Sequence, residues 1–184
     1  MLEVLLLLIA VIILPFTGLS PPEVLFLLLL VELVCLPGTL LLFRVAPPFV
    51  PTGRTTLQAM LRLAAIREGE IVYDLGCGDG RIVFAAAALG ARAIGYEFSV
   101  PTYLLAKCRS FLHPGAVIRF GDFWKQDERD ADVIFCYLLI KSMPRFEREI
   151  WPRLRRGCRV VSHAFRMENI PVTREDHGAY LYVR

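Results

Sequence analysis

The stretch Asp74-Leu75-Gly76-Cys77-Gly78-Asp79-Gly80-Arg81 has the residue types and spacing to hold a nucleotide-like ligand: glycines spaced G-x-G-x-G, an acid before them and another among them. Glycine permits a tight turn and lets a ligand lie against the backbone where side chains would collide. The stretch lies between the apolar run Ile71-Val72-Tyr73 and an alanine-rich helical pattern, the strand-to-helix position at which doubly wound sheets bind nucleotides. Glu97 closes the next apolar run, 21 residues after Gly76, where an acid accepts hydrogen bonds from two ribose hydroxyls. Asp122, in Phe120-Gly121-Asp122-Phe123-Trp124, follows a third run and is suited to accept from an adenine amino group.

The glycine spacing separates two ligand classes. A dinucleotide site uses G-x-G-x-x-G and directs a helix N-terminus at a pyrophosphate. Carboxylates beside this loop would repel a pyrophosphate, whereas they suit the cationic amino-acid end of S-adenosylmethionine, with Asp74 the natural partner of its ammonium group.

These acids need strands to carry them, and the hydrophobic pattern supplies candidates. Strands are expected at Ile71–Leu75, Ala91–Glu97, Ala116–Phe120, Ala131–Leu139, Arg159–Ser162 and Ala179–Val183. Helices are expected at Leu57–Ile66, Arg81–Leu89, Val100–Leu112 and about Pro144–Leu154. Regular alternation of the two argues for an α/β fold, a parallel sheet covered on both faces.

The chain has 184 residues, 55% of them hydrophobic, and a mean hydropathy of +0.52, and the excess sits at one end. All 21 Lys and Arg lie from Arg44 onward, while residues 1–43 carry only Glu3, Glu23 and Glu32, so the first 43 residues have net charge −3 and the rest +6. Disorder, a collagen-like chain and a disulfide scaffold are excluded. Leu2–Leu19 and Val24–Phe43 would make helices about 27 and about 30 Å long, joined by a Gly/Pro turn over residues 17–22. A transmembrane hairpin over 1–43 is therefore expected, with a signal peptide or single span as the alternative. Arg44, Arg54 and Arg62 after the second span orient the following domain to the cytoplasm, a multi-pass membrane localisation with two spans and the bilayer as a partner.

Taken together, Pro48-Phe49-Val50-Pro51-Thr52, Tyr73 to Ile82, Gly95-Tyr96-Glu97, Gly121-Asp122-Phe123 and Arg159-Val160-Val161-Ser162-His163 resemble the class I, seven-β-strand S-adenosylmethionine-dependent methyltransferases. Within that class they are similar to the small protein-lysine methyltransferases, a branch with an archaeal broad-specificity enzyme and mitochondrial enzymes acting on the ATP synthase c subunit and the adenine nucleotide translocase. The resemblance implies a Rossmann-like, mostly parallel seven-stranded sheet with an antiparallel C-terminal strand, and S-adenosylmethionine as cofactor. It implies a cofactor site of Thr52, Tyr73, Asp74, Gly76, Cys77, Gly78, Asp79, Gly80, Glu97, Phe98, Asp122 and Phe123. Within it Thr52 and its neighbours close over the cofactor, Asp74 to Gly80 hold the methionine part, Glu97 the ribose, and Asp122 with Phe123 the adenine. Residues 44–56 become a proline-rich linker and closing loop, and 57–184 the methyltransferase domain; a stiff linker is the plainer account of Pro48 to Thr52. Glu168-Asn169-Ile170-Pro171 departs from the family, which has a tryptophan shortly before the proline, and leaves substrate contacts there open.

Methyl transfer from a sulfonium needs mainly alignment and a deprotonated nucleophile. A lysine acceptor, with an ordinary pKa of about 10.4, must lose its proton first. Tyr137, in Phe135-Cys136-Tyr137-Leu138-Leu139 at the acceptor position, can orient an amine or serve as a core or rim residue, and no catalytic base stands out. The Asp/Asn-Pro-Pro-Tyr/Phe signature of base amino methylation is absent, so nucleic acid is not an expected partner. Arg145, Arg148, Arg153, Arg155, Arg156 and Arg159 form a basic stretch that suits anionic headgroups. Cys35, Cys77, Cys108, Cys136 and Cys158 and three dispersed histidines match neither a zinc site nor a disulfide framework, so reduced, buried thiols and no metal are expected. Protein lysine is the expected acceptor. A lipid or other small membrane-associated molecule, or cofactor binding without catalysis, are the alternatives.

Overall fold

The computed structural model describes residues 50–184, together with Ser20 and helical residues 22–24, 26, 27, 29, 30 and 33. The chain divides into two units, Met1–Pro48 and Phe49–Arg184. The expected spans fall largely outside the described residues. Among the described residues no helix is long and apolar enough to cross a membrane. The longest helices of Phe49–Arg184 have 11 residues, roughly half of the about 20 that a bilayer core requires. The expected two-span membrane localisation is corrected on that finding.

The second unit is an α/β sandwich. Helix α1 (Arg54–Ala64) precedes β1 (Ile71–Leu75), α2 (Arg81–Ala88), β2 (Arg92–Glu97), α3 (Val100–Ser110), β3 (Ala116–Phe120), β4 (Val133–Cys136), α4 (Met143–Glu149), β5 (Arg159–His163), β6 (Arg174–Asp176) and β7 (Ala179–Val183). The seven strands form one sheet in the order β3-β2-β1-β4-β5-β7-β6. β1 to β5 are parallel, β7 is antiparallel to β5, and β6 is antiparallel to β7. β4 is buried throughout and β1 nearly so, which is why these central strands read as unbroken apolar runs.

Strand alternation sorts the core into two layers. Val72, Phe135 and Val161 join Met60, Leu63 and Val83 on the face covered by α1 to α3. Tyr73, Leu75, Ile134 and Cys136 join Phe146, Ile150, Trp151 and Tyr182 on the other. β1 lies between β2 and β4, so the chain leaves it in one direction and later returns on its other side. Ligands bind in such sheets at this reversal, outside the carboxyl ends of the strands.

Several boundaries differ from expectation for local reasons. α1 starts at Arg54, three residues before its apolar stripe, on the polar turn Arg54-Thr55-Thr56. The strand expected over Ala131–Leu139 shortens to Val133–Cys136, because Asp132 accepts the Ile71 amide with its side chain and Leu139 already opens a 3-10 turn. α4 stops at Glu149 and a 3-10 turn, Trp151–Arg153, follows, since Pro152 has no N–H to continue the ladder. β6, three polar residues at the sheet edge, completes the seven strands that the family resemblance implies.

Four of the six arginines of the basic stretch have partners within the fold. Arg145 pairs with Glu149 at 2.8 Å and lies over the Trp124 ring, and Arg155 pairs with Asp132. Arg153 lies 3.6 Å from Glu128, and Arg159 ties Glu70 to the C-terminal end of α1 through the Ala64 and Ala65 carbonyls. Cys77, Cys136 and Cys158 are buried free thiols; Cys108 is exposed, contrary to expectation, because it sits on the outer side of α3. Cys35 lies outside the described residues.

Gly95 sets the distance between β2 and the glycine loop. A Cβ there would stand 2.7 Å from Cys77 Sγ and from Val83 Cγ2, both in the core. Gly95→Ala is expected to cost about 1–3 kcal/mol through overpacking. Urea unfolding of the variant measures this directly, and a midpoint equal to the wild type would refute the close approach.

Candidate functional site

The loop leaving β1 is folded back onto β2. The amides of Gly76 and Cys77 both donate to the Tyr96 carbonyl, at 3.0 and 2.9 Å, and Gly80 N–H donates to the Cys77 carbonyl at 2.9 Å. Gly80 has φ 83°, and a Cβ there would meet the Phe84 ring at 2.5 Å, so only glycine serves where the loop turns into α2. Cys77 is buried under the loop, and burial pushes its thiol well above the ordinary range.

Asp74 faces this loop from within the sheet, beside Gly95 on one side and Phe135 on the other. It is 4% exposed, and its Oδ2 is buried with no hydrogen-bond partner. Burial pushes its carboxyl up to about 8, with further upward contributions from the charges of Glu97 and Asp79. Such a group is costly in the ligand-free protein and becomes favourable once a cation reaches it.

The other strand-end acids are held differently. Glu97 accepts the Gly78 amide at 2.8 Å on Oε2 and the Ser99 amide at 2.7 Å on Oε1, bracing the loop while keeping further lone pairs on both oxygens. Asp122 caps the short turn Phe123–Lys125, accepting the Trp124 amide at 3.0 Å on Oδ1. Between these acids, half-exposed Phe98 stacks on Phe120 with ring centroids 6.1 Å apart. Phe123 instead packs on Trp124, 4.6 Å away, at the rim of the second core. Tyr73 belongs to the core: its ring stacks on Tyr96 and its hydroxyl donates to Asp130 before β4, away from the glycine loop. Burial, then that hydrogen bond, push its phenol up to about 12.

Asp79, expected to add a free negative charge, is matched by two arginines. Arg81 grips both carboxylate oxygens at 2.9 Å, and Arg109 of α3 reaches Oδ2 at 2.7 Å and the Asp79 carbonyl at 2.9 Å. Burial raises the Asp79 carboxyl, but the Arg81 and Arg109 hydrogen bonds outweigh it and hold it below the usual range. Arg81 also donates to the carbonyl of buried Thr52 at 2.6 Å, which brings the segment before α1 to the glycine loop. Neither arginine is given a role by the sequence pattern. Arg81 adjoins the motif and is open to inspection, whereas Arg109 lies 30 residues from Asp79 and leaves no local signal.

At the carboxyl ends of β4 and β5, half-buried Tyr137 packs on His163, ring centroids 4.3 Å apart. His163 Nδ1 is buried without a partner, and burial holds the imidazole below its ordinary pKa. The divergent loop after β5 is anchored from α4: buried Glu147 accepts the Glu168 and Asn169 amides and Asn169 Nδ2. Among the described residues no cluster of three or more metal-ligating side chains occurs.

A buried carboxylate lacking a partner, a backbone loop pressed against it and two further acids at successive strand ends together fit a ligand with an ammonium group, ribose hydroxyls and an adenine amine. Residues 74–174 match the family described as ANTKMT methyltransferase domain. A protein-lysine N-methyltransferase of Saccharolobus islandicus is 35% identical over 153 residues, 74% of this chain and 92% of that protein. The adenine nucleotide translocase lysine N-methyltransferase of Mus musculus is 33% identical over 126 residues, 66% of this chain, which spans only 55% of that protein's length. A solved structure described as an RNA methyltransferase from Salinibacter ruber is 34% identical, with a TM-score of 0.66, covering 73% of this chain and 92% of that one. It holds S-adenosyl-L-homocysteine, the demethylated form of the cofactor expected from the sequence. With a family match over residues 74–174 and a 35% identical relative covered almost end to end, the chain belongs to the ANTKMT methyltransferase domain family.

Proposed function

We propose that this chain transfers a methyl group from S-adenosylmethionine to the side-chain amine of lysine in a protein substrate. The archaeal relative carries this assignment: it is named for that reaction and is matched over 92% of its length. When bound, S-adenosylmethionine supplies an electrophilic methyl group on a sulfonium. Asp74 receives its ammonium group at the buried carboxylate, and Gly76 to Gly80 form the floor beneath its methionine part. Glu97 takes the ribose hydroxyls, and Asp122 the adenine amine, with Phe98 and Phe123 beside the base. Residues 44–56 act as the closing segment and 57–184 as the catalytic domain. Tyr137 orients the acceptor amine at the end of β4, where its ring is braced by His163.

The Salinibacter structure's description favours RNA as a second reading. Against it, four of the six arginines in the basic stretch have partners within the fold, leaving little of it for phosphates. Incubating the full chain and a cell extract with methyl-labelled S-adenosylmethionine separates the readings. Label in methylated lysine of protein supports the proposal, while label confined to RNA or lipid, or bound cofactor with no transfer, contradicts it.

Two substitutions test the cofactor assignments. The Asp74 pKa is raised in the folded state, so the contribution of Asp74 to ligand-free stability is greatest below pH about 4 and is lost as pH rises toward about 8. Asp74→Asn removes that slope: ligand-free, it should melt above the wild type at pH 8, with the gap closing toward pH 5, while cofactor binding is lost. Parallel melting curves with retained binding would contradict the role of Asp74. Glu97→Ala should weaken cofactor binding by about 1–3 kcal/mol, the worth of charged hydrogen bonds; unchanged affinity by calorimetry would remove Glu97 from the ribose site.

A further inference from the structure

We propose that Arg81 is a positioning residue that locks the segment over the cofactor site to the loop that forms its floor. This rests on the cofactor reading above and adds a residue outside the expected set. One guanidinium makes three separate attachments: Nε to Asp79 Oδ1 and Nη2 to Asp79 Oδ2, each at 2.9 Å, and Nη1 to the Thr52 carbonyl at 2.6 Å. Asp79 lies between Gly78 and Gly80, and its backbone position therefore fixes the loop. Thr52 is buried and stands two residues before α1, so its carbonyl ties the residues before that helix to the glycine loop.

The fork geometry makes the attachment specific. A planar guanidinium presents donors in fixed directions, and a carboxylate gripped on both oxygens sets the plane in which the third donor meets Thr52. An ammonium group at this position is a point charge: it neutralises Asp79 but cannot hold both oxygens and the distant carbonyl at once. Arg109 provides an internal contrast. It reaches Asp79 through Nη1 alone, at Oδ2 and at the backbone carbonyl, and makes no bond to Thr52. A lysine can serve in place of Arg109 but not of Arg81. The covering segment then slows ligand escape only when Arg81 is intact.

Binding of S-adenosylhomocysteine to the full chain tests this by stopped flow, with calorimetry for affinity. Arg81→Lys should dissociate about tenfold faster, while its ligand-free melting temperature stays within a few degrees. Arg109→Lys should change the dissociation rate by less than about threefold. An Arg81→Lys chain that releases ligand at the wild-type rate overturns the inference, as does an Arg109→Lys chain with the same loss, which would reduce Arg81 to charge neutralisation. Should Arg81→Lys fail to fold, Arg81→Gln is judged by the same rates. A wild-type chain that binds no S-adenosylhomocysteine overturns the cofactor reading itself, whereas wild-type binding with an unaffected Arg81→Lys overturns only the role of Arg81.

Discussion

A carboxylate buried in the middle of a parallel sheet without a partner is the feature on which the site depends. Asp74 lies next to the point where the strand order reverses, between Gly95 and Phe135, and its Oδ2 has no donor within reach. Leaving such an oxygen bare costs folding free energy that a hydrophobic residue of similar size would not. A ligand that brings an ammonium group offsets that cost. The same burial that raises the Asp74 pKa in the ligand-free chain would strengthen its attraction to a bound cation.

The neighbouring features keep that carboxylate bare. Glu97 and Asp79 are the nearest acids, and both raise the Asp74 carboxyl. Neither competes for the ligand's ammonium, since Glu97 is braced by the Gly78 and Ser99 amides and Asp79 is held by Arg81 and Arg109. Gly95 lets the loop lie close enough for its backbone to donate to the Tyr96 carbonyl in place of a side chain. One acid in the motif thus meets the ligand while a second fixes the loop around it, although in sequence the two look alike.

That distinction marks the limit of what can be read along the chain. Ile71–Leu75, Ala116–Phe120 and Ala179–Val183 are legible to the residue because each is a largely apolar run bounded by a turn or a charged residue. Arg174–Asp176 is invisible because a three-residue polar edge strand has no hydrophobic pattern, only pairing to β7. Tyr73 directly precedes Asp74 at the start of the motif yet points into the core on the opposite face from it, as strand alternation requires. Partners far apart in sequence decide the rest. The second partner of Asp79, Arg109, is 30 residues away and leaves no local signal, and the arginine stretch looks like a charged face because Glu70, Glu128 and Asp132 are remote in the chain.

A buried acid that stays protonated until a cation arrives must release its proton when the cofactor binds. Calorimetric titration of S-adenosylmethionine into the full chain at pH 6.5 or thereabouts, repeated in buffers of different ionisation enthalpy, counts that proton. Release of about one proton per cofactor bound, absent in Asp74→Asn, is the predicted result. Cofactor binding with no proton released would show that Asp74 is not the group that meets the ammonium, and would contradict the account at its centre.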